Sequence, residues 1–150
     1  MISILIIAHA PLASALAEVA AHAYPECAAS LRALNVHSGD GADAVEAAAR
    51  KLLDQADSAG TLVFVDVFGA TPGNAATRLL DRADVRVVAG VNVPMLWRTL
   101  CYGTADSLDT LVARALVGAT QGVMPVTLLK PQNQFQTPAG HDSSNRDDQQ

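Results

Sequence analysis

The stretch Ile2-Ser3-Ile4-Leu5-Ile6-Ile7-Ala8-His9-Ala10-Pro11 decides how the rest of the chain is read. It is β-branched, nearly free of polar side chains and far shorter than the roughly 20 residues of a membrane span. Such a run is the mark of a strand buried on both faces at the middle of a parallel sheet. It stops at a histidine. Ligands of open α/β sheets bind beyond the carboxyl ends of the strands, so His9 falls where chemistry is expected rather than in the core. Pro11 suits the first turn of a helix, where a missing N–H costs nothing, and His9 is therefore expected to face free helical N–H groups.

Working outward, Leu12, Leu16, Val19, Ala20 and Ala23 recur at helical spacing and give an amphipathic helix ending near Tyr24-Pro25. Leu31 to Val36 is a weaker, half-exposed strand that suits a place near the sheet edge. The Ser38-Gly39-Asp40-Gly41 cluster breaks it, Ala42 to Ala56 forms a second helix, and Gly60 is expected to close that helix. Thr61 to Val67 is the third strand, apolar until Asp66 near its carboxyl end. In the helix that follows, through Leu79 and Leu80, Thr71 is the expected N-cap and Pro72 the first helical residue. A fourth strand, Val85 to Ala89, leads to Asn92 at the same rim, and Pro94 opens a short helix. Leu108, Leu111, Val112, Ala115 and Leu116 define the last helix, and Val123 to Leu129 a final short strand. Strands alternating with helices at these loop lengths imply a three-layer α/β/α sandwich on a mainly parallel sheet.

A chain of 150 residues suits one domain with a proper core. Residues 1–129 form that domain; from Lys130 onward Gln, Asn, Pro, Ser, Asp and Gly dominate, and residues 130–150 are expected to be a disordered tail. Half the residues are hydrophobic but only 4% are aromatic, and abundant alanine suits helices lying closely on a β-branched sheet. A net charge of -5 with a pI near 5.1 argues against a nucleic-acid partner, which normally meets a basic face. With no basic leader and no transmembrane run, the expected location is cytoplasmic, without membrane insertion. Cys27 and Cys101 have neither CxxC nor metal-type spacing and read as free packing thiols.

Three strand ends thus deliver His9, Asp66 and Asn92, and the loop after Asp66 adds Thr71 on a helix N-terminus. An imidazole with an ordinary pKa near 6.5 offers one ring nitrogen as a nucleophile around neutral pH. A carboxylate accepting from Nδ1–H would hold the tautomer that exposes Nε2 and stabilise the positive charge that develops on attack. The same pairing orients metal-bound histidines, so the pair alone does not choose between roles. A zinc or iron site normally takes three protein ligands, and the other histidines are not at strand ends: His22 and His37 read as exposed bystanders, and His141 belongs to the tail. No metal and no cofactor are expected. Phosphoryl transfer needs an aligned nucleophile and donors for the equatorial oxygens, which helix N-termini after Pro11 and Thr71 would supply. Neither Lys, Arg nor a phosphate-binding glycine loop stands near these positions, so a bound nucleotide would lack its usual cationic clamp. Thr71 and Asn92 are thus the candidate phosphoryl-binding residues beside His9 and Asp66; taken alone, Asp66 also reads as a cap, Thr71 as an N-cap and Asn92 as a turn-shaping residue, while Trp97 and Arg98 suit packing. A hydrolase built on a His-Asp pair lacks a Ser or Cys nucleophile at the rim.

Three segments, Ile6-Ile7-Ala8-His9, Phe64 to Ala76 and Ala89 to Leu96, together resemble the IIA component of the mannose/fructose/sorbose family of the bacterial phosphoenolpyruvate-dependent sugar phosphotransferase system. The resemblance runs from about residue 1 to 129. It implies that His9 takes a phosphoryl group from phospho-HPr and passes it to a IIB component, that Asp66 hydrogen-bonds that histidine, and that Thr71 stands where the family commonly has a serine near the phosphoryl oxygens. It also implies a homodimer in which the strand Val123 to Leu129 exchanges between subunits as an antiparallel edge strand. Ala10 and Ala70 replace glycines often found in the family, and Phe68 replaces a tryptophan. Related domains serve regulatory phosphorelays without a transporter, or act as the phosphotransfer subunit of dihydroxyacetone kinases.

Overall fold

The isoleucine run forms β1 (Ile2–His9), and every residue from Ile2 to Ala8 is buried, whichever face it points to. The computed structural model describes residues 1–104 and 107–128. Along the chain follow α1 (Leu12–Ala23), β2 (Leu31–Val36), α2 (Ala42–Asp54), β3 (Gly60–Val65), α3 (Thr71–Arg78), β4 (Val85–Ala89), α4 (Val93–Thr99) and α5 (Leu108–Gln121). The sheet order is β2-β1-β3-β4 and each pairing is parallel, with Ile7 opposite both Leu34 and Val65. The α/β sandwich expected from the sequence is present, with β2 at one edge as its half-exposed pattern required.

Period-two alternation sends the two halves of each strand to different layers. Ile4, Ile6, Leu62, Phe64 and Val88 pack under Ala13, Leu16 and Ala20 of α1, Met95 and Leu96 of α4, and Leu111 and Ala115 of α5. Leu5, Ile7, Val63, Val65 and Val85 pack under Val45, Ala49 and Leu53 of α2 and Ala75 and Ala76 of α3. The alanines bring helix backbones close to the branched sheet, and each buried Ile or Leu contributes about 1.5–3 kcal/mol. Ser3, the polar exception in β1, is satisfied by Thr61 Oγ1 at 2.8 Å and Ser58 Oγ at 3.1 Å. The chain leaves β1 toward β2 on one side, while β3 pairs on the other. The connections therefore diverge at the carboxyl ends of β1 and β3, the topological switch point where α/β sheets open a crevice. Among the described residues no helix is long and apolar enough to cross a membrane.

Several expectations need correcting. Gly60 does not close α2, which ends at Asp54; it begins β3, and a Cβ there would lie 2.8 Å from Leu108 Cδ1 and 3.0 Å from the Asp84 carbonyl oxygen. Close approach of backbone, not helix termination, calls for this glycine. Cys27 and Cys101 are not free thiols but a disulfide with Cα atoms 5.2 Å apart. The 3-10 turns Cys27–Ser30 and Leu100–Tyr102 meet at the amino end of the sheet, a proximity that linear spacing does not encode. The segment 123–128 forms no strand in this chain, and its side chains are exposed. Leu129 and the tail from Lys130 onward lie outside the described residues.

Candidate active site at the switch point

His9 ends β1, and Asp66 follows β3 by one residue, so two adjacent strands aim their termini at the same rim. Although 57 positions apart in sequence, the side chains meet: His9 Nδ1 lies 2.7 Å from Asp66 Oδ2. The same oxygen accepts the His9 backbone N–H at 3.0 Å, and Oδ1 accepts the Val67 N–H at 2.9 Å. Burial works against ionisation of this carboxyl. The backbone and ring donors of His9 and the Val67 N–H outweigh it, holding Asp66 below the ordinary carboxylate range. An ionised carboxylate only accepts, so the hydrogen-bond network assigns the ring proton to Nδ1 and leaves the lone pair on Nε2. The histidine side chain is 52% exposed, whereas Asp66 is 12% exposed. The arrangement is a half-exposed imidazole held through one ring nitrogen, with a shielded negative charge against it.

Helix starts flank the pair. α1 begins after Pro11 and α3 after Ala70, and neither N-cap residue offers a side-chain acceptor to the first amides; in α1 only the Ser14 N–H is taken, by Asn35. Thr71 is thus not the N-cap expected from the sequence. Gly69 adopts φ +87, Ala70 takes the extended cap position, and Thr71 is the first helical residue. Its hydroxyl makes no hydrogen bond among the described residues, unlike Thr77 of the same helix, which donates to the Gly73 carbonyl. Gly73 is required where it stands, because a Cβ would lie 2.8 Å from the Val67 carbonyl oxygen. The loop carrying Val67 and Phe68 can therefore fold over the first turn of α3, leaving Phe68 80% exposed.

Asn92 is more fully engaged. Its Oδ1 accepts the Met95 N–H at 2.9 Å as the N-cap of α4, and its Nδ2 donates to the Ala119 carbonyl at 3.3 Å. It shapes the rim at β4, which neighbours β3 and not β1. Two residues that sequence reasoning passed over, Ser14 and Asn35, fix the start of α1. Asn35 Oδ1 accepts the Ser14 N–H at 3.1 Å, Asn35 Nδ2 donates to Ser14 Oγ at 2.9 Å, and that hydroxyl donates to the Pro11 carbonyl. An amide at the penultimate position of an edge strand was the available signal. Trp97 is elsewhere, packed edge-on against Tyr24 with ring centroids 6.1 Å apart. His22 and His37 are exposed. Among the described residues no three His, Cys, Asp or Glu side chains gather as a metal ligand set.

Comparison with known proteins bears on this geometry. The family model EIIA-man, PTS system fructose IIA component, matches residues 3–116. The PTS system mannose-specific EIIAB component of Escherichia coli K12 is 46% identical over 66 residues, which is 43% of this chain and 20% of that protein. The match therefore spans about a fifth of the length of that relative. Of solved structures, the mannose/sorbose specific IIA subunit from Enterococcus faecalis superposes with a TM-score of 0.77 at 23% identity, covering 87% of this chain and 98% of its own. A phosphotransferase system component EIIA from Streptococcus agalactiae gives 0.74 at 24% identity, covering 83% and 97%. At these identities the superpositions speak for the fold alone.

Proposed function

The chain belongs to the EIIA-man family of phosphotransferase-system IIA components, and from that premise we propose that it is a phosphocarrier working through a phosphohistidine at His9. The observation that carries the reading is the 2.7 Å contact between His9 Nδ1 and Asp66, which commits one ring nitrogen and frees the other. Nε2 attacks the phosphoryl group of phospho-HPr in line, the P–N bond to HPr breaks as the new P–N bond forms, and the HPr imidazole leaves. Positive charge grows on the His9 ring during this step, and Asp66 lies against the Nδ1–H that shares it. First-turn amides of α3 and those of α1 ahead of Ser14, with the unengaged Thr71 hydroxyl, donate to the phosphoryl oxygens. Asn92 holds the neighbouring rim through its cap. A IIB-type acceptor then takes the group in a second in-line displacement.

Exposed apolar side chains beside the rim, Phe68, Val67 and Leu12, suit transient protein contacts. The chain acts as a homodimer in this reading. Val126 and Leu128 are 97% and 98% exposed in a segment that pairs with none of the described strands, which supports pairing of that segment with a second copy. The test is incubation with phosphoenolpyruvate, enzyme I and HPr. Acid-labile phosphate on the wild type and none on His9→Ala is the expected result; label persisting in His9→Ala removes the proposal.

A further inference from the structure

The disulfide lies at the opposite end of the sheet from His9, at the amino end of β1, and the phosphocarrier reading leaves it without a role. We propose that Cys27 and Cys101 form a reversible thiol–disulfide site that exchanges with small thiols of the glutathione class. Three observations carry it. Cys101 is exposed while Cys27 is half-buried, so an incoming thiolate meets one sulfur first. A cavity of about 260 Å³ lies beside the bond, lined by both cysteines, Glu26, Ser30, Leu100 and Thr104, and gives that thiolate room to approach. The two turns are also held without the covalent bond: the Ile2 N–H donates to the Gly103 carbonyl at 2.8 Å, and Leu100 is buried in the core. A Cβ at Gly103 would lie 2.5 Å from the Ile2 carbonyl oxygen, so the second turn sits directly on the start of β1. After reduction the thiols therefore stay neighbours, and the effective concentration of one for the other remains high.

The exchange balances as follows. A thiolate attacks Cys101 Sγ, the bond to Cys27 Sγ breaks, and Cys27 leaves as a thiolate that takes up a proton. A second thiolate attacks the external sulfur of the mixed disulfide, releasing the oxidised small thiol and the Cys101 thiolate, which is protonated in turn. Two electrons pass from two small thiols to the protein, and one disulfide is exchanged for another.

The test uses the full chain equilibrated across ratios of reduced to oxidised glutathione, quenched with acid, alkylated and weighed. The expected result is a shift from no alkylated cysteine to two as the buffer becomes reducing, without denaturant. Reduction of a bond spanning 74 positions should lower Tm by roughly 10 °C while leaving one cooperative transition. In single variants, Cys101 in Cys27→Ser should form the mixed disulfide with glutathione at least about tenfold faster than Cys27 in Cys101→Ser. Native protein that stays unalkylated at every ratio and opens only in denaturant overturns the proposal, as does protein with two free thiols even in oxidised glutathione. Equal rates for the two single variants overturn the assigned point of attack.

Discussion

Replacing Asp66 by asparagine keeps the shape of the side chain and removes one acceptor and the charge. The carboxylate takes three N–H donors, two from His9 on Oδ2 and one from Val67 on Oδ1. A carboxamide must turn its NH2 to one of these positions. Facing Val67, it leaves a donor against a donor. Facing His9, it meets two donors; the ring relieves its own contact by moving its proton to Nε2, which occupies the lone pair needed for attack, while the His9 backbone N–H still faces a donor. Charge-assisted hydrogen bonds contribute about 1.5–3 kcal/mol each, and a buried donor left unpaired costs about 1–3 kcal/mol. A loss of about 3–4 kcal/mol from the transition state, at about 1.4 kcal/mol per tenfold, corresponds to transfer slowed about 10²- to 10³-fold. Rapid-quench measurement of transfer from phospho-HPr to Asp66→Asn reads this directly, with the melting transition as a control for folding. Transfer within about threefold of wild type would refute the reasoning, because the carboxylate would then neither set the tautomer nor stabilise the charge.

The depressed acidity of Asp66 carries a pH signature. Its carboxyl titrates lower folded than in the unfolded chain, where the ordinary value is about 3.9, so the stability it adds is fully present above about pH 4. That increment is lost as pH falls through the folded value. Urea titrations of wild type and Asp66→Asn should show a gap that closes on acidification, and a gap that widens contradicts the assignment. Asn92→Ala should cost about 1 kcal/mol as a lost α4 cap and leave transfer within about threefold; a loss of about a hundredfold would give Asn92 a direct contact with the phosphoryl group. Gly73→Ala should destabilise by about 1–3 kcal/mol and slow transfer, since its Cβ displaces the Val67 carbonyl; equilibrium unfolding and rapid-quench assays check both effects. Ile6→Ala, wholly within the core, should cost about 2–5 kcal/mol by denaturant titration and leave the transfer rate of the folded fraction unchanged.

Period and composition made the sheet legible. A β-branched run as pure as Ile2 to Ala8 tolerates only a doubly buried strand, and Leu31 to Val36 and Val85 to Ala89 were readable to the residue because turn-forming clusters bound them. The meeting of His9 with Asp66 was legible at one remove: both stand at the carboxyl ends of strands, and a parallel sheet gathers those ends at one rim. What escaped was set by three-dimensional neighbours. Gly60 read as a helix stop because its constraints, the Asp84 carbonyl and the Leu108 side chain, come from distant parts of the chain. Thr71 read as a cap because the positive φ at Gly69, which moves the cap to Ala70, leaves no trace beyond a glycine. The cysteine pairing and the Ser14–Asn35 clasp likewise join elements whose adjacency belongs to the fold. The segment Val123 to Leu129 carries a strand's composition, but a strand needs a partner, and none of the described elements pairs with 123–128.

The central claim is that Asp66 commits Nδ1 and leaves Nε2 of His9 to carry the phosphoryl group. Nitrogen–phosphorus NMR of the ¹⁵N-histidine-labelled protein, phosphorylated by phosphoenolpyruvate, enzyme I and HPr, reads it most directly. Coupling of phosphorus to Nε2 of His9, with Nδ1 still protonated, is the expected result. Phosphorus on Nδ1, or on any other side chain, would contradict the account.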